Sequence, residues 1–278
     1  MKRKTSLGRI IVFIILFLGA CTMILPFVWM ISTSLKEANL VYKIPPEWIP
    51  NPFDFANYKE IWTASNLLRG ALNSGIVTVT VLVLSTLTSS MAAFSFSKLN
   101  FPGKNFFFLM LLSTMMVPGV VILVPQFVIY TKFKWIDTLL PLIVPASLCN
   151  VNNIFFMRQF LTGLPSDYLE ASRIDGCSYF RTYWNIYFPL CKPAIMANAI
   201  MLFMGTWNDY FGPLIFTNSE SKQTIQVAIA MMSSHYEQQT DIPLVMAASL
   251  IAVLPVLILF ITCQKYFTDS FAMSGIKG

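Results

Sequence analysis

The chain has 278 residues, 56% of them hydrophobic and only 12% charged, with a mean hydropathy of +0.65 and a net charge of +6. Soluble domains carry about 25% charged residues, so this composition excludes an ordinary water-soluble globule. The positive balance needs no nucleic-acid partner, because membrane proteins gather Lys and Arg on their cytoplasmic loops.

The apolar residues come in blocks. Residues 10–35, 70–97, 105–131, 138–157 and 242–264 contain no Asp, Glu, Lys or Arg, and a sixth block, 193–216, contains only Asp209. Each is about 20 residues or more, the length a helix needs to cross a hydrocarbon core of roughly 30 Å. Lipid offers backbone groups no hydrogen-bond partners, and barrel strands would alternate apolar with polar. The predicted fold is therefore an all-α membrane protein forming one transmembrane domain over 1–278. Its six helices are expected at about 10–34, 71–97, 105–131, 138–158, 193–217 and 242–265. With the N-terminus inside, the inner segments hold twelve of the nineteen cations, and the outer loops hold the other seven with eight acids. That asymmetry predicts cytoplasmic N- and C-termini.

In chain order, "MKRKTSLGRIIVFIILFLGAC" has the basic start and apolar run of a secretory signal. A cleaved lipoprotein signal gives way to polar sequence at once, whereas "TMILPFVWMIS" continues apolar, so an uncleaved first helix is expected. The outer loop 36–69 contains Pro45, Pro46, Pro50 and Pro52, which predict a stiff, extended surface segment. "KLNFPGK" at 98–104 is an inner turn, and 132–137 is an outer link. A long inner loop occupies 159–192. The outer loop 218–241 includes "TIQVAIAMMSS", which suits a short helix, and a short inner tail follows Lys265. The odd count of five cysteines, scattered over membrane blocks and the inner loop, predicts neither a disulfide framework nor a metal site. The single histidine, His235, has no acid or second His spaced around it.

The inner loop is the most informative stretch: "YLEASRIDGCSYFRTYWNIYFPLCKP" over 168–193. Asp167 with Glu170 three residues on reads as a capping box, and Gly176 reads as the left-handed stop of the helix it opens. A second helix begins near Ser178. Tyr179, Tyr183 and Tyr187 recur on it every four residues, flanked by Phe180, Trp184 and Phe188, until Pro189 and Pro193 end it. Two short helices with a sharp bend follow. Periodicity leaves open whether they dock a partner, lie in the headgroup region, or pack on their own bundle.

The pattern resembles the loop of membrane subunits of binding-protein-dependent ABC importers: E-A-A, three residues, G, nine residues, I, one residue, L-P. Glu170-Ala171-Ser172, Gly176, Ile186 and Phe188-Pro189 match its spacing, with Ser172 and Phe188 substituting. Asp175, "PPEWIPNPFDFANY", Trp207-Asn208-Asp209 and the ending "QKYF…SGIKG" are similar to the MalG-type permeases of the carbohydrate branch. The resemblance implies a type I ABC importer permease in a bacterial cytoplasmic (inner) membrane. It implies a coupling loop of Glu170, Ala171, Ser172, Asp175, Gly176, Tyr179, Phe180, Tyr183, Ile186 and Pro189, seated on a cytoplasmic ATPase. Ser274, Gly275, Ile276, Lys277 and Gly278 would also reach the ATPase pair. The implied partners are a second homologous permease, two ATPase subunits, an extracytoplasmic sugar-binding protein and a sugar, within the bilayer. ATP and Mg belong to the ATPases, since this chain has no G-x-x-x-x-G-K-[ST] loop and is not expected to be an enzyme or to bind a cofactor.

A sugar path needs hydrogen-bonding side chains at membrane depth. Asn150 and Asn153 in the fourth helix, and Trp207, Asn208, Asp209 and Tyr210 in the fifth, are the candidates. Interhelical hydrogen bonding is the competing role for the same residues. A permease for an amino acid or polyamine is the alternative function. An ion-coupled carrier would need more intramembrane charge than one acid.

Overall fold

The computed structural model describes residues 7–64, 66–148, 150–234 and 241–274. Cys149, His235 and the tail 275–278 lie outside the described residues. The described chain is helical, without a strand. It divides into two compact units, 1–67 with 228–254 and 68–227 with 255–278.

In the first unit, α1 (Leu7–Ser34) exposes apolar side chains such as Phe13, Leu16 and Phe17, a surface suited to lipid rather than water. The segment after it is not the extended arm its prolines predict. It folds back on the end of α1. Ser32 Oγ donates to Trp48 O (2.6 Å), buried Lys36 donates to Glu47 O (2.6 Å) and covers the Trp29 ring, and Asn57 Nδ2 donates to Ser34 O and Lys36 O (3.0 Å each). Past the last proline the backbone regains its N–H donors, and α2 (Asn57–Ala64) forms.

In the second unit, α3 (Leu67–Lys98) is followed by α4 (Lys104–Thr114) and α5 (Gly119–Lys132). The expected single helix over 105–131 is thus two, bent by 96°. Pro118 is the cause: it lacks an N–H and drives Val117 away from helical angles. The fourth block also breaks, into α6 (Leu140–Leu148) and α7 (Val151–Thr162), with Asn150 as N-cap accepting from Asn153 N at 3.1 Å. Next come α8 (Asp167–Ile174), the irregular α9 (Tyr179–Leu190), α10 (Lys192–Trp207) and α11 (Phe211–Phe216). The expected helix over 193–217 is therefore interrupted at 208–210. The short helix expected in 218–241 is α12 (Ile225–Ser234), most of it in the first unit, and α13 (Ile242–Ser274), divided between the units, runs well past the predicted end at 265. Among the described residues, four helical segments are long and apolar enough to cross a bilayer: Gly8–Ser34, Leu67–Lys98, Leu140–Thr162 taken across its break, and Ile242–Gln264. The bent pairs α4/α5 and α9/α10 raise the number to six if each is one span.

Two apolar clusters hold the second unit. One gathers Val77, Val81, Tyr130, Leu142, Leu202 and Phe216. The other joins Ala93, Phe94, Met157 and Leu161 to Tyr183, Tyr187, Cys191 and Ala194. Polar stitches run from α3 to its neighbours: Thr88 Oγ1 donates to Ser147 O (2.6 Å), Asn153 Nδ2 donates to Ser85 Oγ (3.0 Å), and Ser90 Oγ meets Tyr183 OH (2.8 Å).

A clasp joins the link after α5 to the turn after α11. Asp137 takes a left-handed φ of 63°, which Asp tolerates better than most residues, and its N–H donates to Phe216 O at 2.8 Å. Its carboxylate accepts from Ser219 Oγ (2.5 Å), Ser219 N (2.7 Å) and Asn218 N (3.0 Å). The Ser219 hydroxyl, then its amide, hold this carboxyl below the usual carboxylate range. The clasp's contribution is full above the ordinary carboxylate pKa of about 3.9 and is lost as pH falls through the lower folded value. Asp137→Ala should therefore speed amide hydrogen exchange at Asn218 and Ser219 at neutral pH, and wild type should match it only under strongly acidic conditions. Unchanged exchange in the variant would refute the clasp.

Candidate functional site

The loop between α7 and α10 is built as a braced bend. Ser166, not Asp167, is the N-cap of α8, and its side chain makes no capping bond, so the expected capping box does not form. Asp167 and Glu170 instead lie in the first turn, where their charges complement the positive end of the helix dipole. The C-terminal stop is as expected. Gly176 takes φ +76°, with Gly176 N donating to Arg173 O (3.1 Å) and Cys177 N donating to Ser172 O (2.9 Å), the double closure of a Schellman turn. Arg173 locks the bend by donating to Cys177 O (2.7 Å) and lying 4.5 Å over the Tyr179 ring. Ser178 caps α9 through Arg181 N at 3.3 Å. Across the bend, Ser172 Oγ and Thr182 Oγ1 are 2.9 Å apart and buried, a bolt that alanine at 172 could not supply.

The aromatic residues do not share one face, which corrects the expectation for Tyr183. Tyr183 (3% exposed) and Tyr187 (0%) turn inward onto Phe94, with ring centroids at 5.6 and 5.1 Å. A π turn over Tyr183–Tyr187 accompanies this, closed by Phe188 N–H donating to Tyr183 O. Pro189 has no N–H to give Asn185 O, and the wider turn accommodates the missing rung. The outward face carries Tyr179, Phe180 (64%) and Trp184, together with Ile174 (86%), which the sequence reading missed. Phe180, Trp184 and Phe188 stack nearly parallel, at 6.5 and 5.0 Å with 10° between planes. Glu170, Ala171, Asp175, Gly176 and Pro189 are exposed on this loop, Ile186 is half-buried, and Ser172 is internal.

The path candidates divide as well. A cavity of about 460 Å³ is lined by α3, α6, α7, α10 and the start of α11. It brings together Asn150, Asn153 and Asp209 with Asn152, the neighbour of the two asparagines, and adds Asn198, Thr206, Thr224 and Ser74, which carried no signal of their own in the sequence. Two of the three helix breaks border it, through Asn150 and through Asp209, whose Oδ1 accepts from Gly212 N at 3.3 Å. Trp207, Asn208 and Tyr210 do not line it. Trp207 is buried and stacked on Phe203, Asn208 bonds Met204 O and Gln226 Nε2, and Tyr210 packs edge-on against Phe211. Asn153 serves the competing role in part, through its bond to Ser85. Among the described residues no group of His, Cys, Asp and Glu could hold a metal.

Residues 85–272, which include both the bend and most of the cavity, match the family described as "Binding-protein-dependent transport system inner membrane component". The chain belongs to that family. It is 30% identical over 283 residues to the arabinooligosaccharides transport system permease protein AraQ of Halalkalibacterium halodurans, covering 100% of both chains. It is 32% identical to the AraQ protein of Bacillus subtilis over 230 residues, covering 82% of this chain and 81% of the other. Among solved structures, a bacterial ABC transporter involved in the import of the acidic polysaccharide alginate superposes with a TM-score of 0.84. The superposition covers 96% of this chain and 100% of that one, at 22% identity, which establishes the shared permease fold. This is a multi-pass membrane subunit of an ABC import system.

Two glycines test the local geometry. A Cβ at Gly176 meets open space, so Gly176→Ala costs only left-handed strain, about 1–2 kcal/mol. Gly176→Asn should recover most of the loss in thermal stability. A Cβ at Gly212 would stand 2.6 Å from Asp209 Oδ2, so Gly212→Ala should displace that carboxylate and reshape the cavity wall. Equal stability of the Ala and Asn variants at 176 would contradict the strain assignment.

Proposed function

We propose that this chain is the gating subunit of an ATP-driven importer for an oligosaccharide, delivered by an extracytoplasmic binding protein. Its expected complex contains a second, homologous permease and two cytoplasmic ATPases that carry ATP and Mg. The carrying observation is the pair of exposed rings Phe180 and Trp184, braced by stacking on half-buried Phe188, at the position of the family's docking loop. Large, stiff rings are the residues that dominate interface energies, and an exposed set on a rigid bend suits transmission of motion. The oligosaccharide cargo named for the AraQ relatives supports a sugar over an amino acid or polyamine.

In this reading all six apolar blocks cross the bilayer, α4 with α5 and α10 with α11 forming broken spans while α9 stays in the inner loop, and both termini lie in the cytoplasm. Glu170, Ala171, Asp175, Gly176, Tyr179, Phe180, Ile186 and Pro189 present or shape the ATPase-facing loop, while Ser172 and Tyr183 hold it from behind. Ser274 and the residues after it, 275–278, are assigned to the ATPase pair on the family resemblance alone. Closure of the ATPases on ATP would swing α8 and α9 as one body. Tyr183, Tyr187 and Phe94 would pass that swing to α3 and α10, whose other ends border the cavity. Asn150, Asn153 and Asp209 are the proposed cargo contacts of this chain.

Phe180→Ala with Trp184→Ala should cut ATPase co-purification by about 30-fold, the effect of roughly 2 kcal/mol at a hot spot, while membrane yield holds. Tyr187→Ala should act oppositely, lowering yield by about 3–5 kcal/mol of lost core packing. Normal ATPase recovery with the double variant would count against the docking role. Sugar transport is tested separately, by whether an oligosaccharide-loaded binding protein of the same system stimulates ATP hydrolysis in the reconstituted complex.

A further inference from the structure

The cavity at the helix breaks has a chemical bias as well as a shape. Its polar wall is made of the carboxamides of Asn150, Asn152, Asn153 and Asn198 and the hydroxyls of Ser74, Thr206 and Thr224. Amides and hydroxyls both donate and accept, which matches the hydroxyls of a glycan. Thr224 is itself buried, at 4% exposure. Asp209 is the only ionisable side chain among the described lining residues. Helix ends of both polarities meet there, the C-terminal ends of α6 and α10 and the N-terminal ends of α7 and α11, so their dipoles largely offset. An anionic cargo would find no countercharge in this wall. Ionised, Asp209 repels it; protonated, Asp209 still supplies no positive charge. A charge that leaves bulk water for a wall without a countercharge is disfavoured.

We infer that this cavity admits uncharged, hydroxyl-rich glycans and turns away anionic ones such as uronates and sugar phosphates. This inference rests on the reading of the chain as a sugar permease and divides that class by charge. The related alginate importer, which handles an acidic polysaccharide, shows that the fold itself does not impose the choice.

The test uses the complete importer in proteoliposomes, with its own binding protein, partner permease and ATPases. Neutral arabino-, xylo- and malto-oligosaccharides are compared with galacturonate oligosaccharides and glucose 6-phosphate, reading uptake and cargo-stimulated ATP hydrolysis. The expected result is a preference of at least about tenfold for a neutral glycan over every anion, equivalent to about 1.4 kcal/mol. Asn152→Lys and Asn152→Met have similar bulk and separate this cavity from the binding protein: only the Lys variant should narrow the neutral-to-anion ratio. Uptake of an anionic sugar at the neutral rate overturns charge selection while leaving the permease reading intact. An unchanged ratio in Asn152→Lys overturns the cavity's part in it. Transport of an amino acid or polyamine with no glycan response overturns the sugar reading itself.

Discussion

Backbone hydrogen bonding in a medium without water governs this molecule. Inside a bilayer every N–H and C=O must find a partner in protein or in a wetted cavity, so a helix can break only where such a partner exists. Two apolar blocks break next to one cavity, at Asn150 and at 208–210, and the side chains there close the exposed backbone. Asn150 accepts from Asn153 N, and Asp209 accepts from Gly212 N. The polar cavity and the broken helices thus explain each other, because each would be costly without its partner.

The same requirement shapes the bend between α8 and α9. Gly176 ends α8 with both closing bonds in place, and Ser178 restarts the chain with its own cap. The Ser172–Thr182 bolt and Arg173 over Tyr179 leave little freedom at the corner. Behind it, Tyr183 and Tyr187 fill the cluster around Phe94, so the outward stack is tied to α3 and α10 through packed rings. A push on Phe180 or Trp184 therefore has a stiff route inward. Close packing transmits displacement because the interior has few voids to absorb it.

The helical class, the approximate positions of the apolar blocks, the stop at Gly176 and the family loop were legible in the sequence. Each depends on residues close together in the chain: an uncharged run, a glycine at a helix end, a fixed spacing from Glu170 to Pro189. The capping box was misread because Ser166 and Asp167 are both plausible caps and only the backbone angles choose between them. The loop 36–69 was misread because its prolines speak for their own positions and not for α2 beyond them. Trp207 was a path candidate by its neighbours, yet it stacks on Phe203 and leaves the wall to Thr206 and Asp209.

By itself the sequence determined that this is a helical membrane protein carrying a bent, aromatic inner loop, since hydropathy and local stereochemistry are properties of short segments. Only the tertiary structure decided which tyrosines face inward and where the long helices break. It also decided that Ser74, Asn152, Asn198, Thr206 and Thr224 share a wall with Asp209. Those residues are as much as 150 positions apart, from Ser74 to Thr224, and no local pattern encodes a neighbour that only helix packing supplies.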